Sequence, residues 1–211
     1  MTKKFSITIS GNMGVGKSTL TQLLAEDLCW TPVFEAVDGN PYLSDFSRDM
    51  ARWSFQSQVY FLSQRLRTQR ELAQHSSSVV QDRSVFEDAE IFARNLHQRG
   101  EMSPRDYQVY RELYDEFMQF LAKPDLIVYL KASLPTLIGR VRRRGRDFER
   151  DVSPLYLQQL NELYNAWIDD FTLCPVLTID ADRADFVKSR DDYFSIKRQI
   201  LNQLQLEPQY A

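Results

Sequence analysis

The 211-residue sequence predicts an α/β fold, a five-stranded parallel sheet flanked by helices. Two observations carry that prediction. Short runs rich in β-branched and apolar residues alternate with longer segments of helical period. The first such run leads straight into Gly11-Asn12-Met13-Gly14-Val15-Gly16-Lys17-Ser18-Thr19, a G-x-x-x-x-G-K-[ST] loop that opens a helical pattern.

The expected strands are residues 5–10, 33–37, 78–81, 126–130 and 176–179. Several are nearly all apolar, as strands covered by helices on both faces must be. Helices are expected to start near Lys17, Trp53, Phe86, Pro104, Leu134 and Pro154, with a last one from about 190 to 204. In the long segment 53–74, Phe55, Val59, Leu62, Leu66 and Leu72 fall near helical spacing and predict a core-facing stripe. Gln58 and Arg65, seven apart, share one face of that helix. No linker, repeat or low-complexity segment divides the chain, so one domain spanning 1–211 is expected.

Composition narrows the class. A chain with 43% hydrophobic and 26% charged residues can bury an ordinary core. A net charge of −3 and a pI near 5.5 argue against a general nucleic-acid binder. Cys29 and Cys174 stand far apart without CxxC or Cys/His spacing, which disfavours a zinc site or disulfide framework and suits a reducing cytosol. The N-terminus reads as a strand rather than a signal peptide, and no run approaches the roughly 20 apolar residues of a membrane span. A cytoplasmic location is expected. His75 and His97 read as structural or surface residues.

The glycine-rich loop is a phosphate cradle. Its glycines let backbone N–H groups turn toward phosphate oxygens, the helix N-terminus adds its dipole, and Lys17 bridges the outer phosphates. Ser18 can ligate Mg²⁺. Of only seven glycines in the chain, three lie in this loop. The loop implies a nucleoside triphosphate but not a reaction, because kinases, switches and transport ATPases share it.

Acceptor chemistry is read from the strand ends. The second strand runs into Glu35, and the third into Asp82-Arg83-Ser84. In open α/β sheets, ligands bind beyond the carboxyl ends of the strands. A hydroxyl acceptor needs a carboxylate to take its proton, the role open to Glu35. A migrating phosphoryl group needs a cation, the role open to Arg83, and Asp82 can hold the Mg²⁺ shell. An Asp after a strand is by itself an ordinary helix cap; beside the phosphate loop it becomes a candidate. Arg140, Arg142, Arg143, Arg144, Arg146 and Arg150 crowd one stretch. Arg140 and Arg144 share a helix face that Gly145 ends, and a mobile cap of arginines can close on ATP phosphates. The alternatives at this point are a kinase for nucleoside monophosphates or a regulatory P-loop protein.

Taken together these segments resemble the deoxyribonucleoside kinase family, particularly its short bacterial deoxyadenosine/deoxyguanosine kinases. The resemblance rests on GNMGVGKST, FEAVDGNPYLSDF, RWSFQSQVYFLSQR, QDRSVFEDAEIFARN, RRRGRDFER and TIDADRADF. It implies a P-loop kinase fold with an Arg-rich lid at about 140–150, ATP as phosphate donor, Mg²⁺ and a homodimer. It also implies that a deoxyribonucleoside is phosphorylated on its 5′-hydroxyl. Residue by residue, Glu35 matches the catalytic base and Arg83 the arginine near the reacting hydroxyl. Gln58 matches the glutamine that reads the base edge, Arg65 and Asp88 a charged pair deeper in the base pocket, and Phe92 an aromatic against the base. Arg140, Arg144 and Arg146 match lid arginines, and Glu149 the lid carboxylate for the sugar 3′-hydroxyl. Asp185 and Phe186 match a turn near the ATP adenine. Two positions depart from the pattern: Ala36 where the family has Pro, and Ser47 where it has a Tyr that contacts the 3′-hydroxyl. Ser47 is short, which leaves Phe46 or Tyr42 to shape that wall and shifts the 3′-hydroxyl toward Glu149. An amide at Gln58 suits adenine, guanine or cytosine, and a charged pair deeper in the pocket disfavours a thymine methyl. The resemblance points to purines.

Overall fold

Five parallel strands, β1 (Ser6–Ser10), β2 (Thr31–Val33), β3 (Val79–Asp82), β4 (Leu126–Lys131) and β5 (Val176–Asp180), lie in the order β2-β3-β1-β4-β5. The structure is a computed structural model that describes residues 3–34, 39–73, 76–145 and 152–206. It divides into two compact units. One comprises Met1–Phe34, Ser76–Arg83 and Lys123–Ala211; the other comprises Glu35–His75 and Ser84–Ala122.

The first unit holds the sheet. Central β1 pairs with β3 from Ser6↔Val79 to Ile9↔Asp82, and with β4 from Ile7↔Leu126 to Ser10↔Tyr129. One face carries Ile7, Ile9, Val80, Leu126, Val128 and Leu130. These pack with Leu20 and Leu24 of α1 (Lys17–Leu28), Leu137 of α7 (Leu134–Arg144), and Ile196 and Ile200 of α9 (Arg190–Gln203). Toward the other face, Tyr129 stacks on Tyr164 of α8 (Pro154–Asp170), ring centroids 6.1 Å apart, and its hydroxyl donates to Asn165 Oδ1 at 3.1 Å. Helices on both faces suit the apolar runs Val79-Val80 of β3 and Leu126–Leu130 of β4, and the polar Thr8, Ser10 and Gln81 are buried among them.

Strand boundaries agree with the sequence reading except at β2, which spans Thr31–Val33 rather than 33–37. Thr31 N–H donates to Ser78 O, and the register runs Thr31↔Val79 through Val33↔Gln81. Pro32 makes this segment look unlike a strand, yet an edge strand tolerates a residue without an N–H. Phe34 has left the ladder, and Glu35 lies outside the described residues.

The second unit is helical: α2 (Leu43–Arg48), α3 (Met50–Ala73), α4 (Val85–Glu87), a π-helical segment (Asp88–Ala93), α5 (Arg94–Gln98) and α6 (Pro104–Met118). Helix α2 carried no sequence signal strong enough to predict it. Helix α3 begins three residues before Trp53, where Asp49 Oδ1 accepts from Arg52 N–H as a cap. Its predicted apolar stripe is only partly right. Leu62 is buried, but Phe55, Val59, Leu66 and Leu72 are half-buried. The buried face is instead Ser54, Ser57, Gln58, Leu62 and Arg65. Ser54 Oγ donates to Glu101 O, Ser57 Oγ accepts from Asn40 Nδ2, and Arg65 pairs with Asp88. Polar groups can take the inner face because partners replace the water they lose. No helix among the described residues is long and apolar enough to cross a membrane.

Leu20 is fully buried between the sheet and α1. Leu20→Ala is expected to lower unfolding free energy by about 2–5 kcal/mol. A urea titration reads this as a lower midpoint at unchanged slope; a shift below about 1 kcal/mol would show that this face of the sheet is not the core.

Candidate active site

The phosphate loop spans residues 11–16 between β1 and α1 in the first unit. Gly11 has φ +142, and a Cβ there would lie 2.6 Å from Leu130 O on the neighbouring strand. Gly16 has φ +111, and a Cβ there would lie 2.9 Å from the Phe186 ring. Both positions need glycine for conformation and for room. Lys17 arches back over the loop, its Nζ donating to Gly11 O at 2.8 Å and Asn12 O at 3.1 Å. Those carbonyls hold the ammonium where an incoming phosphate would meet it. Asn12 Nδ2 donates to Leu157 O, while its Oδ1 accepts from Met13 N–H, so the loop is fastened to α8. Val15 is buried under the loop, and Thr19 sits exposed on the first turn of α1.

Ser18 Oγ donates to Asp82 Oδ2 at 2.5 Å. Asp82 is buried, and its Oδ1 has no partner among the described residues. A hydroxyl and a carboxylate with a spare buried oxygen, next to a phosphate cradle, form a hard-oxygen donor set that fits Mg²⁺ and its water shell. Arg83 follows at once. It is buried with φ +67, a left-handed conformation rare outside glycine, and its N–H donates to Ile9 O at 3.0 Å.

The arginines expected to form a lid divide. Arg140 donates through Nη1 to Val15 O and through Nη2 to Ala181 O, both at 2.8 Å. Its guanidinium therefore braces the phosphate loop against the turn after β5, a role the sequence reading did not assign. Arg144 is exposed at the last position of α7, and Gly145, with φ +64, ends that helix as expected. Arg146 and Glu149 lie outside the described residues, as does Glu35. Asp185 N–H donates to Asp192 Oδ2 at the turn before α9. Phe186 is buried in the sheet core with its ring against Gly16.

In the second unit, Gln58 and Arg65 both lie on the buried face of α3. Arg65 Nε donates to Asp88 Oδ2 at 3.1 Å, with the two side chains 8% and 6% exposed. Asp88 opens the π-helical segment, whose wider turn sets Asp88 and Phe92 on one side; such segments recur at functional sites. Phe92 is half-buried. Tyr110 of α6 is fully buried, and its hydroxyl has no partner among the described residues. Burial first, and then the Asp88 charge, raise its pKa well above the usual phenol value, so it stays a neutral donor.

Several contributors escaped the sequence reading. Asn40 bonds Ser57 and also accepts from Tyr42 N–H, while Tyr60 donates to Gly39 O, so residues 39–42 are tied to α3. Tyr42 stacks on Trp53 at 5.7 Å, and Ser47 Oγ donates to Leu43 O within α2. Ser47 thus spends its hydroxyl inside α2, while Tyr42 lies against the Trp53 ring. Fully buried Glu87 was also missed; an S-x-x-E capping box starting at Ser84 was the available signal. His97 stacks on Tyr107, in keeping with a structural role.

Gly16→Ala would drive a methyl into the Phe186 ring and strain the backbone. It is expected to weaken ATP binding at least tenfold and to lower Tm, measured by titration calorimetry and thermal melting; unchanged ATP affinity would mean the loop does not hold phosphate as described.

Comparison with known proteins places this geometry. The deoxynucleoside kinase family profile matches residues 7–205. Deoxyadenosine/deoxycytidine kinase of Bacillus subtilis is 38% identical over 200 residues, covering 94% of this chain and 92% of that protein. Deoxyguanosine kinase of the same organism is 33% identical over 198 residues, covering 92% and 95%. Among solved structures, deoxyadenosine kinase from M. mycoides with products dCMP and a flexible dCDP bound superposes with TM-score 0.83 at 25% identity, covering 94% of this chain and 100% of that one. The same enzyme with bound dATP gives 0.82. The parallel sheet and phosphate loop are therefore those of a P-loop kinase, and the chain belongs to the deoxynucleoside kinase family.

Proposed function

We propose that this enzyme transfers the γ-phosphoryl group of ATP to the 5′-hydroxyl of a purine deoxyribonucleoside, deoxyadenosine or deoxyguanosine, in a single domain with a lid at about 140–150. The observation that carries the base class is the buried Arg65–Asp88 pair on the face that also buries Gln58. Amide, guanidinium and carboxylate offer donors and acceptors to an amino-substituted base edge and nothing to a thymine methyl. Relatives named for deoxyadenosine and deoxyguanosine support a purine, and the deoxycytidine in one relative's name fits the same amino-substituted edge.

In the reaction, the 5′-oxygen attacks the γ-phosphorus, its proton passes to Glu35, and the bond to the β–γ bridging oxygen breaks to release ADP. Lys17 and the N–H groups of residues 11–16 hold the donor phosphates. Ser18 and Asp82 would hold Mg²⁺, which when bound would supply positive charge against the donor phosphates. Arg83 stabilises charge spread over the transferring group. Gln58, Arg65, Asp88 and Phe92 hold the base, Glu149 the 3′-hydroxyl, Arg144 and Arg146 the outer phosphates, and residues 185–186 the adenine side of ATP. Arg140 serves the same phosphates by bracing the loop.

The protein is further proposed to act as a cytoplasmic homodimer in purine deoxynucleoside salvage. Val109, Leu113 and Phe117 are exposed four residues apart on α6, with Phe120 just beyond, a face suited to a two-fold partner. Two free thiols suit a reducing compartment.

Glu35→Gln is expected to lower kcat by about two orders of magnitude or more, since a general base contributes roughly 10²–10⁴-fold, with ATP binding intact. Near-normal turnover would remove Glu35 from this role. Coupled ADP release with the four deoxynucleosides and their monophosphates should show turnover with deoxyadenosine or deoxyguanosine and none with monophosphates. Turnover on monophosphates instead would make it a monophosphate kinase, and slow hydrolysis indifferent to acceptor a regulator. Light scattering should return a dimer mass, and a monomer mass would reject the pairing.

A further inference from the structure

Arg83 is held in a backbone conformation that an L-residue does not choose, with φ +67. Such strain costs on the order of 1–3 kcal/mol and persists only where the surroundings over-determine it. Both peptide groups flanking its Cα are pinned. On one side the Arg83 N–H donates to Ile9 O at 3.0 Å. On the other, the Ser84 N–H, part of the next peptide plane, donates to Glu87 Oε2 at 2.8 Å, and Ser84 Oγ donates to the same oxygen at 3.2 Å. Glu87 is fully buried. A carboxylate withdrawn from water as an ordinary helix cap is an expensive choice, because a cap works equally well at the surface.

We propose that Glu87 is a positioning residue for phosphoryl transfer: it fixes the peptide plane after Arg83 and so holds the Arg83 guanidinium at its working angle. The proposal rests on assigning Arg83 to the transferring group. It accounts for two facts together, the left-handed arginine and the buried carboxylate three residues beyond Ser84. If the Ser84 N–H lost its acceptor, the peptide plane could rotate through ψ of Arg83 and φ of Ser84, and the left-handed turn at Arg83 could relax. The guanidinium would swing with it, and a displacement near 1 Å at such a group can cost about 10²-fold in rate.

The test separates packing from hydrogen bonding. Glu87→Met keeps the buried volume and removes the acceptor. Glu87→Gln keeps an acceptor oxygen and removes the charge, and the capping box accepts either residue. Each is measured in the natural background and with Arg83→Lys, following kcat, KM for ATP and for deoxyadenosine, and Tm. The expected result is a kcat loss of about ten- to a hundredfold for Glu87→Met, with both KM values within about threefold. Glu87→Gln should recover most of the rate, and Glu87→Met should add less than about twofold once Arg83 is already Lys. Full kcat in Glu87→Met, or an equal loss in both backgrounds, overturns the proposal. If Arg83→Lys alone leaves turnover intact, the assignment of Arg83 is what fails. Should Met at 87 prevent folding, Ser84→Ala removes only the hydroxyl contact. It should show about a threefold kcat loss that disappears beside Arg83→Lys; a loss that persists there overturns the proposal equally.

Discussion

A guanidinium and a carboxylate withdrawn from water together set the terms for the helical unit. Arg65 and Asp88 are each more than nine-tenths buried, and Arg65 Nε donates to Asp88 Oδ2. Such a pair adds little net stability, because desolvation consumes most of the attraction, yet breaking it by removing one partner typically costs about 3–5 kcal/mol. Its value is geometric. It fixes the rotation of α3, and with it the inward direction of Gln58, and it fixes the first residue of the π-helical segment. The polar lining of α3 follows from the same constraint. Once that face admits a charged pair, the neighbouring serines can be buried too, provided each finds a partner, as Ser54 and Ser57 do.

The nucleotide half obeys a different rule: backbone shape comes first and side chains maintain it. Gly11 and Gly16 permit close approaches that any Cβ would block, and Lys17 and Arg140 donate to loop carbonyls from two directions. A loop held this way presents its N–H groups already oriented, so a phosphate meets donors that need little reordering.

How much of this was legible in the chain depends on the kind of signal. The phosphate loop was readable because its spacing is dictated by backbone geometry, and the central strands because burial on both faces leaves an apolar run. The inner face of α3 was misread, since hydrophobic periodicity is blind to buried serine, glutamine and arginine. Arg140 looked like its neighbours in an arginine-rich stretch; only the fold shows that its donors meet the Val15 and Ala181 carbonyls. Glu87 drew no reading at all, because a buried carboxylate has no one-dimensional signature beyond a capping box. Strand β2 was displaced by its proline, which counts against a strand everywhere except at an edge.

That proline has a consequence for how the protein behaves in a crowded solution. Thr31 and Val33 share the side of β2 that faces β3, so the intervening residue is the one whose amide would face outward. That residue is Pro32, which has no N–H to offer. The rim of the sheet therefore lacks a donor at the middle of its three residues, where a stray extended segment would need one to dock. Edge-to-edge fibre growth is discouraged at this rim by a single imino acid. Replacing it with a β-branched residue would complete the rim and invite the association that the natural chain avoids.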